Sequence, residues 1–99
     1  YRLNLKKLSK DIYKFKFRSG FFFEHTTNDI DNIWEIINEK YQTITYLGIN
    51  PDKIFNSLNK KNVLGIDRIV PIGKALSIGH IWDGFDIISS LSRKVSIEK

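Results

Sequence analysis

A chain of 99 residues with 13 aromatic side chains and 41% hydrophobic content has room for one modest core, because a chain of this size buries only about two-thirds of the surface its unfolded form exposes. It contains no cysteine, which excludes disulfides, thiolate metal ligands and a cysteine nucleophile within these residues and predicts a cytoplasmic setting. The net charge of +5 is uneven: residues 1–18 hold seven bases against one acid, Asp11, and residues 19–99 hold nine bases against ten acids.

Leu5, Leu8 and Ile12 recur at helical spacing and predict an amphipathic helix over 3–13. Tyr13–Arg18 alternates aromatic and basic residues, the pattern of a strand with one wet face. Ser19-Gly20 marks a turn, and Phe21–His25 reads as a strand. Thr27-Asn28-Asp29 opens the next helix, since a short polar side chain accepts from orphan N–H groups and Asp29 and Asp31 favour the positive helix end. Its apolar face is Ile30, Ile33, Trp34 and Ile37.

Tyr41–Leu47 is β-branched, aromatic and alternating, so it predicts a strand that Gly48 ends. Asn50-Pro51 caps and starts another helix, where proline's missing N–H costs nothing. Ile54, Phe55 and Leu58 form its apolar face, and Asn62 or Gly65 stops it. Ile66–Ile72 is the next strand. The order strand, helix, strand, helix, strand predicts an α/β fold of βαβαβ type with a parallel sheet. A glycine-punctuated loop (Gly73, Gly79, Gly84), a short helix at Asp86–Leu91 and a terminal strand at Lys94–Glu98 complete the chain.

Chemistry is sparse. His25 and His80 lie far apart, with no cysteine and no local carboxylate spacing suited to zinc, so no metal site is expected. The glycines do not form a dinucleotide fingerprint, and no nucleophile elbow or phosphate loop occurs. Tyr13–Arg18 offers rings and cations to single-stranded nucleic acid, but a solvated amphipathic strand explains it better, because a binding surface spreads its cations along a groove. Asp83 or Asp86 caps the short helix that follows. Arg68 must face away from Asp67, and burial there requires a partner for it. The longest uncharged stretch, Tyr41–Pro51, is far below the roughly 18 apolar residues of a membrane span. The first residue is Tyr1 and methionine is absent, from which a preceding segment is expected.

Gly65-Ile-Asp-Arg-Ile-Val-Pro-Ile-Gly-Lys-Ala-Leu76, followed by Ile81-Trp-Asp-Gly-Phe-Asp-Ile-Ile88 and Leu91-Ser-Arg93, resembles the C-terminal end of the bacterial long-chain acyl-CoA reductases of bioluminescence operons, members of the aldehyde dehydrogenase superfamily. Tyr41-Gln-Thr-Ile-Thr-Tyr46 is similar to a second family segment, and the likeness spans about residues 20–98. The resemblance implies a parent enzyme that reduces a fatty acyl-CoA, or an acyl-protein partner's acyl group, to an aldehyde with NADPH, through a thioester on an upstream cysteine. It implies a division into a basic N-terminal segment, 1–19, continuing from an upstream domain, and a C-terminal α/β portion, 20–99. No catalytic residue and no cofactor ligand falls in this chain. Pro71, Ile72, Gly73, Trp82 and Asp83 would line or shape the substrate entrance, and the terminal strand would join an oligomer. The family pattern often carries Asp where Ser77 stands, so no role resting on that carboxylate carries over. Two other readings compete: a small basic nucleic-acid-binding module, and an assembly element acting through Lys94–Glu98.

Overall fold

The computed structural model describes all residues, 1–99, as a mixed helix–strand chain with short sheets. Its elements are β1 (Arg2–Asn4), a 3₁₀ turn (Ile12–Lys14), β2 (Phe22–Glu24), α1 (Asp31–Trp34), β3 (Thr43–Tyr46), α2 (Pro51–Lys60), β4 (Arg68–Pro71), β5 (Ile81–Trp82), β6 (Phe85–Asp86) and α3 (Ile87–Leu91). The α/β character is present at this coarse level. The single βαβαβ sheet is not. β1 pairs with β2 in parallel, β3 pairs with β4 in parallel, and β5 and β6 form an antiparallel hairpin, giving three separate two-stranded sheets.

The β3–α2–β4 unit is the expected one. Thr43 aligns with Arg68 and Tyr46 with Pro71. Asn50 Oδ1 accepts from the Asp52 N–H at 2.8 Å, capping α2 ahead of Pro51. At the other end Asn62 adopts φ +49°. The Val63 N–H then reaches the Leu58 carbonyl and the Asn62 N–H the Asn59 carbonyl, the paired bonds of a Schellman stop. Val63 also packs on the core beside Leu58.

The N-terminal predictions need correction. The helix over 3–13 is replaced by β1, a connecting segment and one 3₁₀ turn. A short helix is marginal in water, whereas Arg2–Asn4 gains a ladder with β2 that is extended by Leu5 N–H to Glu24 O at 2.7 Å. The strand at Tyr13–Arg18 is absent, because its first residues lie in the 3₁₀ turn and Phe17 folds onto Phe21 at 4.9 Å between ring centres. Ser19 and Gly20 make the predicted turn, both at positive φ.

The helix expected from Thr27 is reduced to α1. The Thr27 hydroxyl donates to the Asp29 carbonyl and accepts from its N–H, and Asp29 Oδ1 accepts from the Asp31 N–H. After Trp34, Ile36 and Ile37 are β-branched and stiff in a helix, and the Asn38 side chain takes the Lys40 N–H at 2.9 Å. The helical path therefore dissolves into turns. The terminal strand at Lys94–Glu98 is also absent. Val95 and Ile97 have the right alternation, but no strand edge lies beside them, and they stand 89% and 81% exposed.

Trp34, Ile54 and Leu58 alone are buried, ringed by half-buried Ile30, Ile37, Ile44, Tyr46, Val63, Ile66 and Ile69. Phe55, expected on the inner face of α2, is 54% exposed. The molecule is drawn out to 65 × 31 × 26 Å with a radius of gyration of 17.3 Å, against about 13 Å for a compact domain of this length. No helix is long and apolar enough to cross a membrane.

Candidate functional site

The turn before β3, the loop after β4 and the β5–β6 hairpin meet around one residue of β4. Arg68 is the organising residue. Its guanidinium donates from Nη1 to the Ala75 carbonyl and from Nη2 to the Ser77 carbonyl, both at 2.8 Å. The same group lies over the Trp82 ring, 4.9 Å from its centre. These contacts fasten the loop after β4 and the β5–β6 hairpin to one strand residue. Planar donors and a stackable face suit arginine to this and lysine does not replace them. The sequence flagged that Arg68 needs a partner; the structure supplies two carbonyls and a ring.

Asp67 lies against Gly84 at the tip of the same hairpin. A Cβ at Gly84 would stand 2.9 Å from Asp67 Oδ1, and Asp83 and Gly84 both have positive φ. Asp-Gly is the two-residue turn that joins β5 to β6, a hairpin signature in the sequence that the elements predicted above did not include. Asp83 is thus a turn residue, and its Oδ1 accepts from Gln42 Nε2 at 2.6 Å. Asp86 is the cap of α3: its carboxylate accepts from the Ser89 N–H and hydroxyl. Those bonds, the backbone one first, hold its pKa below the ordinary carboxylate value.

Of the five predicted entrance residues, Trp82 and Asp83 belong to this cluster. Pro71, Ile72 and Gly73 form the turn leaving β4, where the Ile72 N–H bonds to the Tyr46 carbonyl at 2.9 Å and the Lys74 N–H to Pro71 at 3.0 Å. Pro71 and Gly73 are exposed and Ile72 is 62% exposed. None of the five lines any of the four principal grooves. The main groove lies elsewhere, a space of about 670 Å³ between α1, β3 and the start of α2, lined by Ile30, Ile33, Trp34, Ile44, Tyr46 and Ile54 among others. It is an open apolar surface with no reactive pair facing it.

A polar chain that the sequence reading missed ties α1 to α2 beneath that groove. Trp34 Nε1 donates to Ser57 Oγ at 2.5 Å, and the Ser57 hydroxyl donates to Asp31 Oδ1. Lys61 Nζ sits 3.5 Å from the other Asp31 oxygen. The Ser57 bond, aided by Lys61, lowers the Asp31 pKa. Tyr41 goes the opposite way: its hydroxyl is buried without a partner, and desolvation raises its pKa. Only the i, i+3 spacing of Asp31 and Trp34 on one helix face was visible beforehand.

His25 Nδ1 bonds to the Leu5 carbonyl at 2.8 Å, a packing role. No three His, Asp or Glu side chains gather where a metal ion would be held. The helix start best placed to cradle a phosphate is that of α2, and its residues do not suit the task. Asn50 takes the Asp52 N–H, Pro51 has none to offer, and Asp52 adds negative charge. Comparison of the chain with family models, curated proteins and solved structures returned no match.

Proposed function

We propose that the chain is the C-terminal portion of an NADPH-dependent acyl-CoA reductase, in which it closes the sheet and shapes the substrate entrance while an upstream domain supplies the nucleophile. One observation carries the reading. Tyr41–Tyr46 and Gly65–Arg93, the two segments on which the resemblance rests, come together in one cluster: β3 beside β4, Gln42 on Asp83, Arg68 on Trp82. Two segments of one family architecture would be expected to share a tertiary role in this way.

The uncovered apolar surface supports the same reading. Leu76, Ile78, Phe85, Ile88 and Leu91 are each between 63% and 90% exposed, a density of bare apolar groups that fits a chain packed against a larger body. On this reading the chain's residues do no bond chemistry. Arg68 sets the path of residues 74–82, and with it the positions of Pro71, Ile72, Gly73 and Trp82 at the mouth of the site.

The test is acyl-CoA-dependent oxidation of NADPH by the full-length protein, followed by cofactor absorbance. Activity is expected over some range of acyl lengths, and it is expected to vanish when the upstream cysteine is replaced by alanine. Arg68→Lys in that protein is expected to lower turnover by up to about a hundredfold through misplacement of the loop. A full-length protein inactive on every acyl length tried overturns the assignment.

A further inference from the structure

We propose that residues 1–25, together with Lys40, form a surface that docks on an anionic phospholipid bilayer. This inference does not rest on the reductase reading, since it concerns the segment outside the family resemblance and its neighbours.

The surface is apolar in the middle and cationic around it. Two grooves of about 500 and 340 Å³ share a ridge made of Leu5, Ile12, Phe15, Phe17 and Phe23. Within that ridge Phe15 and Phe17 are each 56% exposed. Phe17, Phe21 and Phe23 pack ring on ring, at 4.9 Å and 5.5 Å for the two nearer pairs, so the exposed Phe17 ring is held in place by its neighbours.

Seven bases fall in residues 1–18, and only two are spent internally. Arg2 pairs with Glu24 at 2.5 Å and Lys14 with Asp11 at 2.6 Å. That leaves Lys6, Lys7, Lys10, Lys16 and Arg18 exposed and without a carboxylate partner. Lys7 lines one groove, and Lys16 and Lys40 line the other. The two acids of the patch are those already neutralised. A face of this composition is complementary to a plane that offers acyl chains at its centre and negative charge at its edge, where apolar side chains enter the headgroup boundary and each base near the surface adds attraction.

Single-stranded nucleic acid fits less well. Base stacking needs free ring faces in series beside the cations, yet Phe17, Phe21 and Phe23 tilt against one another at 52° and 72° and occupy each other's faces. The period-two row of rings and bases that would track a strand does not form, because Ile12–Lys14 is a 3₁₀ turn.

The experiment is co-sedimentation of the full chain with vesicles of phosphatidylcholine alone, or of phosphatidylcholine and phosphatidylglycerol in equal amounts, at low and physiological salt. Binding to the anionic vesicles is expected, with little to the neutral ones and progressive release by salt. Lys6→Gln, Lys7→Gln and Lys10→Gln should each weaken partitioning about fivefold. The pair Phe15→Ala and Phe17→Ala should weaken it with every base still in place, while an unchanged urea midpoint reports that the distant core is intact. Equal binding to both vesicle types, no binding at low salt, or indifference to the base replacements overturns the proposal. So does displacement from vesicles by a single-stranded oligonucleotide that binds more tightly, which would make the face a nucleic-acid surface. A patch buried by self-association, seen as oligomers that fail to bind vesicles, overturns it as well.

Discussion

Gly65 is the most tightly hemmed glycine in the chain. It has φ +108°, and a Cβ there would meet the Asn38 carbonyl oxygen at 2.1 Å and the Glu39 Cα at 2.9 Å. Gly48 shares the positive φ, +72°, but has open space around it. The pair separates backbone strain from steric contact. Gly48→Ala should cost about 1–2 kcal/mol, the penalty for a left-handed alanine. Gly65→Ala should cost clearly more, since the loop at Asn38–Glu39 must also move. Urea midpoints of the two variants check this, and equal losses would mean that the close approach carries no weight. A second prediction concerns Asp31, whose folded-state pKa lies below the ordinary value chiefly because Ser57 donates to it. Protons therefore bind the unfolded chain more readily, so the stabilisation is full above about pH 4 and lost as pH falls through the folded-state value. Ser57→Ala removes that donor and also the acceptor of the Trp34 N–H. Its destabilisation should be largest near neutrality and narrow on acidification to a constant remainder, the Trp34 share. Urea midpoints measured down the acid limb test this, and a difference independent of pH would remove Asp31 from the account.

The elements divide sharply by how local their causes are. α2 was legible from end to end, because Asn50, Pro51 and Asn62 act within their own turn of chain. β3 and β4 were legible because a β-branched run on each side of one helix has a single economical pairing. The N-terminal half was misread where two local solutions compete, and a distant ladder decided between them: Arg2–Asn4 pairs with Phe22–Glu24, across a separation that periodicity does not sense. Trp82 and Asp83 lie in the Arg68 cluster, and the Asp-Gly hairpin that positions them was there to be read at Asp83-Gly84. Amphipathic spacing was also too coarse to rank neighbours on α2. It put Ile54 and Phe55 on one face, yet Ile54 is 3% exposed and Phe55 54%. Ile54→Ala should therefore cost about 2–5 kcal/mol, enough to threaten a core of three residues, and Phe55→Ala about 0.5 kcal/mol or less. Urea denaturation followed by circular dichroism separates them, and a Phe55 loss as large as that of Ile54 would place the ring in the core.

At the scale of the molecule, the folding information is concentrated in residues 27–70, and both ends are borne outward from it. The buried cluster draws on α1, α2 and the two strands flanking α2, with no contribution from β1, β2 or α3. The last residues gain nothing from the rest of the chain. Residues 93–99 make no hydrogen bond to the body, and every one of them is exposed. Their alternation of Val95 and Ile97 between polar neighbours therefore has value only against a partner edge, and none is present within the chain. Removing residues 93–99 should accordingly leave the urea midpoint unchanged, within about 0.5 kcal/mol, as for surface changes remote from any packed feature. The same truncation should matter for association: if the tail supplies a strand to another copy, sizing would show a smaller species at equal concentration, since an added strand is held by backbone bonds that no other segment replaces. Loss of intrinsic stability on truncation would place the tail in the fold after all. An unchanged midpoint with an unchanged assembly would remove the terminal segment from the architecture of both the chain and its oligomer.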